Sequence, residues 1–132
     1  MGITYDQTIP TVAQFTDLYR ACTLGARRPL DRAAEMMANA NLFVSAWDGD
    51  LLVGLARGMT DRVHATYLAD LAVRESHQKH GIGKQLIRRV QAACPKALIV
   101  LIAAPLAHEY YGRIGFAQHR SCWILRPEMA VG

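Results

Sequence analysis

TYLADLAVRESHQKHGIGKQLIRRVQAACPKALIVLIA, residues 66 to 103, is the stretch that decides the fold. Residues 66–73 are mostly apolar and read as a strand. From Ile82 to Cys94 the residues Ile82, Leu86, Val90 and Ala93 recur at helical spacing, and Pro95 stops the helix. Ala97 to Ala103 is a continuous apolar run, the pattern of a strand covered on both faces. Strand, helix and strand joined by a crossover of this length form a right-handed parallel unit. The turn QKHGIGK, residues 78 to 84, sits at the C-terminal edge of the first strand, where open α/β sheets take their ligands.

Working outward, Ile3 to Asp6 reads as a short first strand. After Pro10, Val12, Phe15, Tyr19 and Cys22 recur at helical spacing. A second helix follows Pro29 and Asp31, with Leu30, Ala33, Ala34 and Met37 on one side, and ends near Asn39. Leu42 to Trp47 and Leu51 to Met59 flank Asp48-Gly49-Asp50, a hairpin signal because Gly and Asp accept the positive dihedral that a tight turn requires. Downstream, a short helix spans about Leu106 to Ile114 and ends at Gly115, and Phe116 to Leu125 completes the sheet. No repeat, linker or low-complexity tract interrupts the α/β pattern, so residues 1–132 read as a single domain.

A chain of 132 residues, 52% apolar, has the size of one compact domain with one core. MGITYDQTIP lacks the basic start and apolar block of a signal peptide. The longest apolar run, Ala97 to Ala107, contains Pro105 and falls well short of the ~20 residues a membrane span needs. Cys22, Cys94 and Cys122 are odd in number and widely spaced, which fits neither a disulfide framework nor a zinc site and points to the reducing cytoplasm. The net charge of +4 favours an anionic ligand. Its excess is focused at the turn, where Arg74, Lys79, Lys84, Arg88 and Arg89 face the single acid Glu75. No aromatic ladder or nucleic-acid module accompanies that charge, so nucleic acid is not the expected partner.

A helix N-terminus leaves backbone N–H groups without partners and carries about half a positive charge, and a glycine-rich approach lets phosphate oxygens reach them. Gly81 and Gly83 remove Cβ atoms from that approach, Gln78 carries an amide donor, and Lys79 and Lys84 add charge. A dinucleotide fingerprint would need a small residue at Leu86 and an acid where Ala103 and Ala104 stand. A nucleoside-triphosphate loop would need four residues between its glycines and Lys-Ser or Lys-Thr after them, where this chain has one residue and Lys84-Gln85. Nicotinamide dinucleotides and ATP are therefore not expected.

Gln78-Lys79-His80-Gly81-Ile82-Gly83 resembles the acetyl-CoA loop of the GNAT superfamily of N-acetyltransferases, which runs Gln or Arg, two residues, Gly, one residue, Gly or Ala. Asp70-Leu71-Ala72-Val73-Arg74 looks like that family's fourth strand. Ala107, Tyr110-Tyr111 and Gly115-Phe116 are similar to its downstream A-x-x-F-Y-x-x-x-G-F segment. The resemblance spans about Ile3 to Leu125 and implies an α/β layered fold: a mixed central sheet of six to seven strands flanked by about four helices.

What the resemblance implies for function is acetyl transfer from acetyl-CoA to a primary amine, directly in a ternary complex and without a metal. The loop from Gln78 to Lys84, with His80, Gly81, Ile82 and Gly83, would bind the pyrophosphate. The strand Leu71, Ala72 and Val73 would pair with the pantetheine arm, with Ala107 and Tyr110 packing on it. The backbone amide of Leu71 would stabilise the oxyanion. Tyr111 would protonate the leaving thiolate, since a tyrosine hydroxyl of pKa about 10 can serve a thiolate of pKa about 8.5. Asp70 is a candidate for the base, with His64 or His108 acting through water and a water chain to solvent as alternatives. Two positions depart from the family pattern: Tyr67 stands where some members place a catalytic glutamate, and Ala104 where many carry a cofactor-binding asparagine. Arg27, Arg28 and Arg32, if they face the acceptor pocket, would select an acidic amine. The alternative is a non-catalytic acyl-CoA-binding module on the same fold. A homodimer through the last strands is ordinary for the family.

Overall fold

The computed structural model describes residues 2–22 and 29–132; Arg27 and Arg28 lie outside them. One sheet runs in the order β1 (Ile3–Asp6), β2 (Leu42–Asp48), β3 (Leu51–Thr60), β4 (Ala65–Val73), β5 (Leu98–Val100). Every neighbouring pair is antiparallel except β4 and β5, which are parallel as their helical crossover requires. The β2–β3 turn is tight because Gly49 takes φ +60°.

Helices cover both faces. On one side lie α1 (Val12–Arg20) and α2 (Ala33–Ala38), which follows a 3-10 turn at Leu30–Arg32. Thr11 starts α1 by a capping box: its hydroxyl accepts from the Gln14 N–H, and the Gln14 side chain accepts from the Thr11 N–H. Phe15, Leu18 and Met37 bury against Phe43, Leu52 and Leu55. On the other side α3 (Ile82–Ala93) buries Ile82, Leu86, Ile87 and Val90 against Val44, Val53 and Ala56. Each such side chain contributes roughly 1.5–3 kcal/mol by leaving water. The sheet is thus the middle of three layers, and α4 (His108–Arg113) extends the α3 side through Tyr110 and Tyr111.

One irregularity decides where a ligand fits. The pairing of β3 with β4 steps from Arg57↔Asp70 to Gly58↔Leu68, so Ala69 is an extra residue in β4. Such a bulge bends and twists its strand. The parallel ladder of β4 with β5 runs through Ala65↔Leu98, Thr66↔Ile99 and Tyr67↔Val100, and ends just before this bulge. Beyond it, β4 continues to Val73 while residues 101–104 leave the sheet.

This corrects four expectations. The described residues form five strands, not six to seven. The last of them is Leu98–Val100 rather than the whole run to Ala103, because the bulge takes β4 away from residues 101–103. It is also not covered on both faces, since Leu98, Val100 and Ile102 are about half exposed. Phe116 to Leu125 forms no strand. Residues 117–132 are exposed throughout, and an apolar run such as Cys122–Leu125 becomes a strand only where a neighbouring ladder receives it.

Packing of α3 on the sheet depends on Gly54, where a Cβ would lie 3.0 Å from both Ile82 Cγ2 and Leu86 Cδ1. Gly54→Val is expected to lower stability by roughly 1–3 kcal/mol, through overpacking, read as a shift of the urea midpoint at constant slope.

Candidate active site

The divergence of β4 from residues 101–104 opens a cavity of about 470 Å³. Leu68, Leu71 and Val73 form one wall and Leu101, Ile102 and Ala104 the other. The loop 78–84 closes one end, and Tyr110, Tyr111 and Arg113 of α4 line the cavity from beside the core.

The loop combines two unusual backbone conformations. Lys79 at φ +66° and Gly81 at φ +81° both lie in the left-handed region, a geometry that bends successive N–H groups into an anion-binding concavity. Gly81 is the N-cap of α3 and makes no side-chain capping bond. The first internal bond of the helix runs from the Gln85 N–H to the Gly81 carbonyl, so the amides of Ile82, Gly83 and Lys84 precede the intrahelical ladder. All three residues line the cavity. Gly83 has its own reason: a Cβ there would sit 3.3 Å from Tyr110 Oη and 3.7 Å from Val73 Cγ2. Its absence lets the first turn of α3 approach Tyr110. These features fit a phosphate-bearing ligand.

Charge agrees with that fit. The charged side chains lining the cavity are Lys79, Lys84 and Arg113, with His77 beside them, and among the described residues no carboxylate lines it. Among the same residues no three His, Cys, Asp or Glu side chains gather as metal ligands, and no helix is long and apolar enough to cross a membrane.

Of the residues expected at the site, Leu71, Val73, Gln78, Lys79, Gly81, Ile82, Gly83, Lys84, Ala107, Tyr110 and Tyr111 come together around the cavity. Three do not. Ala72 is buried in the opposite core, packed with Phe15 and Leu55, because successive strand residues face opposite sides. His80 is exposed within the loop and does not line the cavity. Asp70 is buried at 2% exposure, and its Oδ2 accepts from Arg57 Nε at 2.5 Å. Arg57 in turn donates from Nη1 to the Met36 carbonyl at 3.2 Å, so the pair ties β3 and β4 to α2. The Gln78 amide also departs from expectation: Nε2 donates to the Val73 carbonyl at 2.9 Å, fastening the loop to the end of β4. Neither His64 nor His108 lines the cavity, nor does Tyr67, while Ala104 does.

Sequence reasoning missed Cys22, His77, Leu68, Leu101, Ile102 and Arg113 as lining residues. Arg113 follows Tyr110 at helical spacing, which was a usable signal. Cys22 carried none, because its place depends on how the end of α1 meets the sheet.

Tyr110 and Tyr111 pack edge to face at 5.3 Å, and Tyr111 meets Phe116 in the same way at 5.5 Å. Burial, with Tyr110 as a lesser cause, raises the Tyr111 hydroxyl above the ordinary tyrosine range. Burial alone raises Tyr110. Both phenols therefore stay protonated at neutral pH.

The profile of the acetyltransferase (GNAT) domain matches residues 23–122, well over half of the sequence, and the chain belongs to that family. A Prochlorococcus marinus protein, an uncharacterized N-acetyltransferase described as ycf52-like, is 32% identical over 110 residues. That match covers 78% of this chain, and the chain spans 57% of the length of this relative. Among solved structures, SA2161 of Staphylococcus aureus superposes with a TM-score of 0.79 at 21% identity, over 95% of this chain and all of that one. The aminoglycoside N-acetyltransferase AAC(6')-Iy in complex with CoA gives 0.71 at 16% identity, over 96% of this chain and 95% of that one. At these identities the structures speak for the fold.

Because the folded-state pKa of Tyr111 is raised, the stability it contributes is complete below the unfolded value near 10 and is lost as pH rises through the folded value. Tyr111→Phe is expected to flatten the fall in stability above about pH 10. It should also remove one step above the ordinary tyrosine range from the phenolate absorbance titration.

Proposed function

We propose that this chain is an acetyl-CoA-dependent N-acetyltransferase that moves the acetyl group directly to a primary amine. The observation that carries the reading is the uncapped start of α3, with Lys79 and Gly81 in left-handed conformations, opening into the cavity that Tyr111 also lines. The loop suits a pyrophosphate, and Tyr111 is the proton donor for a leaving thiol.

In this reading the amides of Ile82, Gly83 and Lys84 hold the pyrophosphate, helped by Lys79, Lys84 and Arg113. The apolar walls of Leu71, Val73 and Ala107 exclude water from the acyl arm. Attack of a neutral amine on the thioester carbonyl develops negative charge on oxygen, which the Leu71 backbone N–H stabilises. When the carbon–sulfur bond breaks, Tyr111 donates its proton to sulfur, and burial keeps that proton in place until the thiolate forms. Asp70, ion-paired and outside the cavity lining, positions β4 and does not abstract a proton. The amine proton leaves through water, since no carboxylate lines the cavity among the described residues. The reading includes the cytoplasm as compartment, where the free thiols Cys22, Cys94 and Cys122 would stay reduced.

Ala104 in the cavity wall, and the same lack of a carboxylate, favour a second reading: an acyl-CoA-binding module without turnover. Calorimetry and a thiol-release assay separate the two. Acetyl-CoA is expected to bind in preference to ATP and NADH, and Gly81→Glu to abolish binding by forcing a side chain into φ +81° and a negative charge into the loop. With an amine panel drawn from aminoglycosides, polyamines and peptide N-termini, Tyr111→Phe is expected to lower kcat about 10²-fold with acetyl-CoA affinity kept. Binding without turnover on any amine supports the module, and an unchanged kcat removes Tyr111 from the mechanism.

The reading also includes a homodimer. β5 is the edge of the sheet, and Leu98, Val100, Ile102 and Trp123 are exposed near or beyond it, Trp123 at 92%. Sedimentation at micromolar concentration is expected to give a dimer that Val100→Lys disperses; a monomeric wild type overturns this part.

A further inference from the structure

We infer that Asp48, at the tip of the β2–β3 hairpin, is a positioning residue for the phosphate loop and acts through His77. The inference rests on the cofactor reading of that loop and goes beyond it, because Asp48 does not line the cavity.

The geometry is a relay of two hydrogen bonds. His77 Nε2 lies 2.9 Å from Asp48 Oδ2, and His77 Nδ1 lies 2.7 Å from Ser76 Oγ. An ionised carboxylate can only accept, so Nε2 carries the proton and donates it; Nδ1 of the neutral ring then accepts from the Ser76 hydroxyl. Both ring nitrogens are engaged and the ring orientation is fixed. The imidazole is well shielded, at 13% exposure, while the Asp48 side chain is at 45%.

The backbone just beyond His77 explains why such a tether is needed. Gln78 leads to Lys79, a non-glycine residue held at φ +66°, a conformation that is sterically unfavourable and persists only where its surroundings over-determine it. Upstream, Arg74 is anchored firmly: its N–H donates to the Val53 carbonyl at 2.8 Å, its side chain donates to the Leu52 carbonyl, and Nη2 meets Asp17 at 2.8 Å. Glu75 is held by its N–H on the Ala21 carbonyl at 2.9 Å. From there to the left-handed pair, His77–Asp48 is, among the described residues, the one side-chain bond from the 3-10 turn Glu75–His77 to the hairpin. The carboxylate thus fixes the approach to the loop from outside the cavity. Removing it leaves every ligand-contacting group present but less well ordered, which weakens binding and leaves the chemical step alone.

The test compares Asp48→Ala, His77→Leu, the double variant, Asp48→Asn and Asp50→Ala. Asp48→Ala and His77→Leu are each expected to raise the Kd and KM for acetyl-CoA by about 3- to 10-fold with kcat retained, the size expected for one net hydrogen bond. The double variant should be no worse than either single one, as for two ends of one interaction. Asp48→Asn, whose side-chain carbonyl still accepts from Nε2, should recover most of the affinity. Asp50→Ala, a change in the same turn but outside the relay, should match the wild type. Unchanged affinity in Asp48→Ala, or additive losses, overturns the inference while leaving the cofactor reading intact. If the wild type binds no acetyl-CoA, that reading fails instead. The tether is then decided by amide exchange: faster exchange at Lys79 to Gly83 in Asp48→Ala supports it, and unchanged exchange overturns it.

Discussion

A single inserted residue in β4 is the constraint on which the rest of this molecule depends. Parallel strands normally stay paired along their length, since each unpaired backbone group buried away from water is costly. Here the bulge at Ala69 turns β4 so that its ladder with β5 ends after Tyr67↔Val100. Everything needed for a ligand site is set around the gap: α3 begins at one end of it, α4 flanks it, and the walls are the apolar residues that would otherwise have faced each other. The sheet stays continuous because β3 and β4 remain paired on the other side of the bulge.

The buried Arg57–Asp70 pair belongs to the same region. Asp70 is the residue directly after the bulge, and its carboxylate reaches across to the strand that carries Arg57. Two charges this far from water are stabilised only by good geometry and further hydrogen bonds, here the Met36 carbonyl on Nη1. Removing either partner would leave the other charge uncompensated, so the pair acts as a lock on the register of the bent strand and on the docking of α2.

Much of this was legible in the sequence, and the limits have physical causes. Local signals gave the strand, turn and helix around QKHGIGK because glycine placement, helical spacing and a stopping proline all act within a few residues. They also gave the hairpin at Gly49 and the tyrosine pair on α4. The bulge at Ala69 was invisible, since an extra residue in a strand shows only against its partner's register. The shortening of β5 goes with it, and the segment after Phe116 shows the same limit, because whether an apolar run becomes a strand depends on a neighbouring ladder. Asp70 was found as a residue of the right strand, but its buried pairing with Arg57 was not: alternation predicts which side a residue faces, and the bulge resets that alternation. The tether from Asp48 to His77 joins residues far apart in sequence, and no local pattern marks it.

The sheet divides the core into two hydrophobic clusters. Phe15, Leu18 and Met37 pack on one face, and Leu86, Val90 and Tyr110 on the other, with few shared neighbours. Substitutions that reshape α1 and α2 therefore perturb one hydrophobic cluster and leave the packing behind the phosphate loop in place. The two halves of the core can therefore be repacked one at a time, each change costing cohesion on its own side of the sheet only.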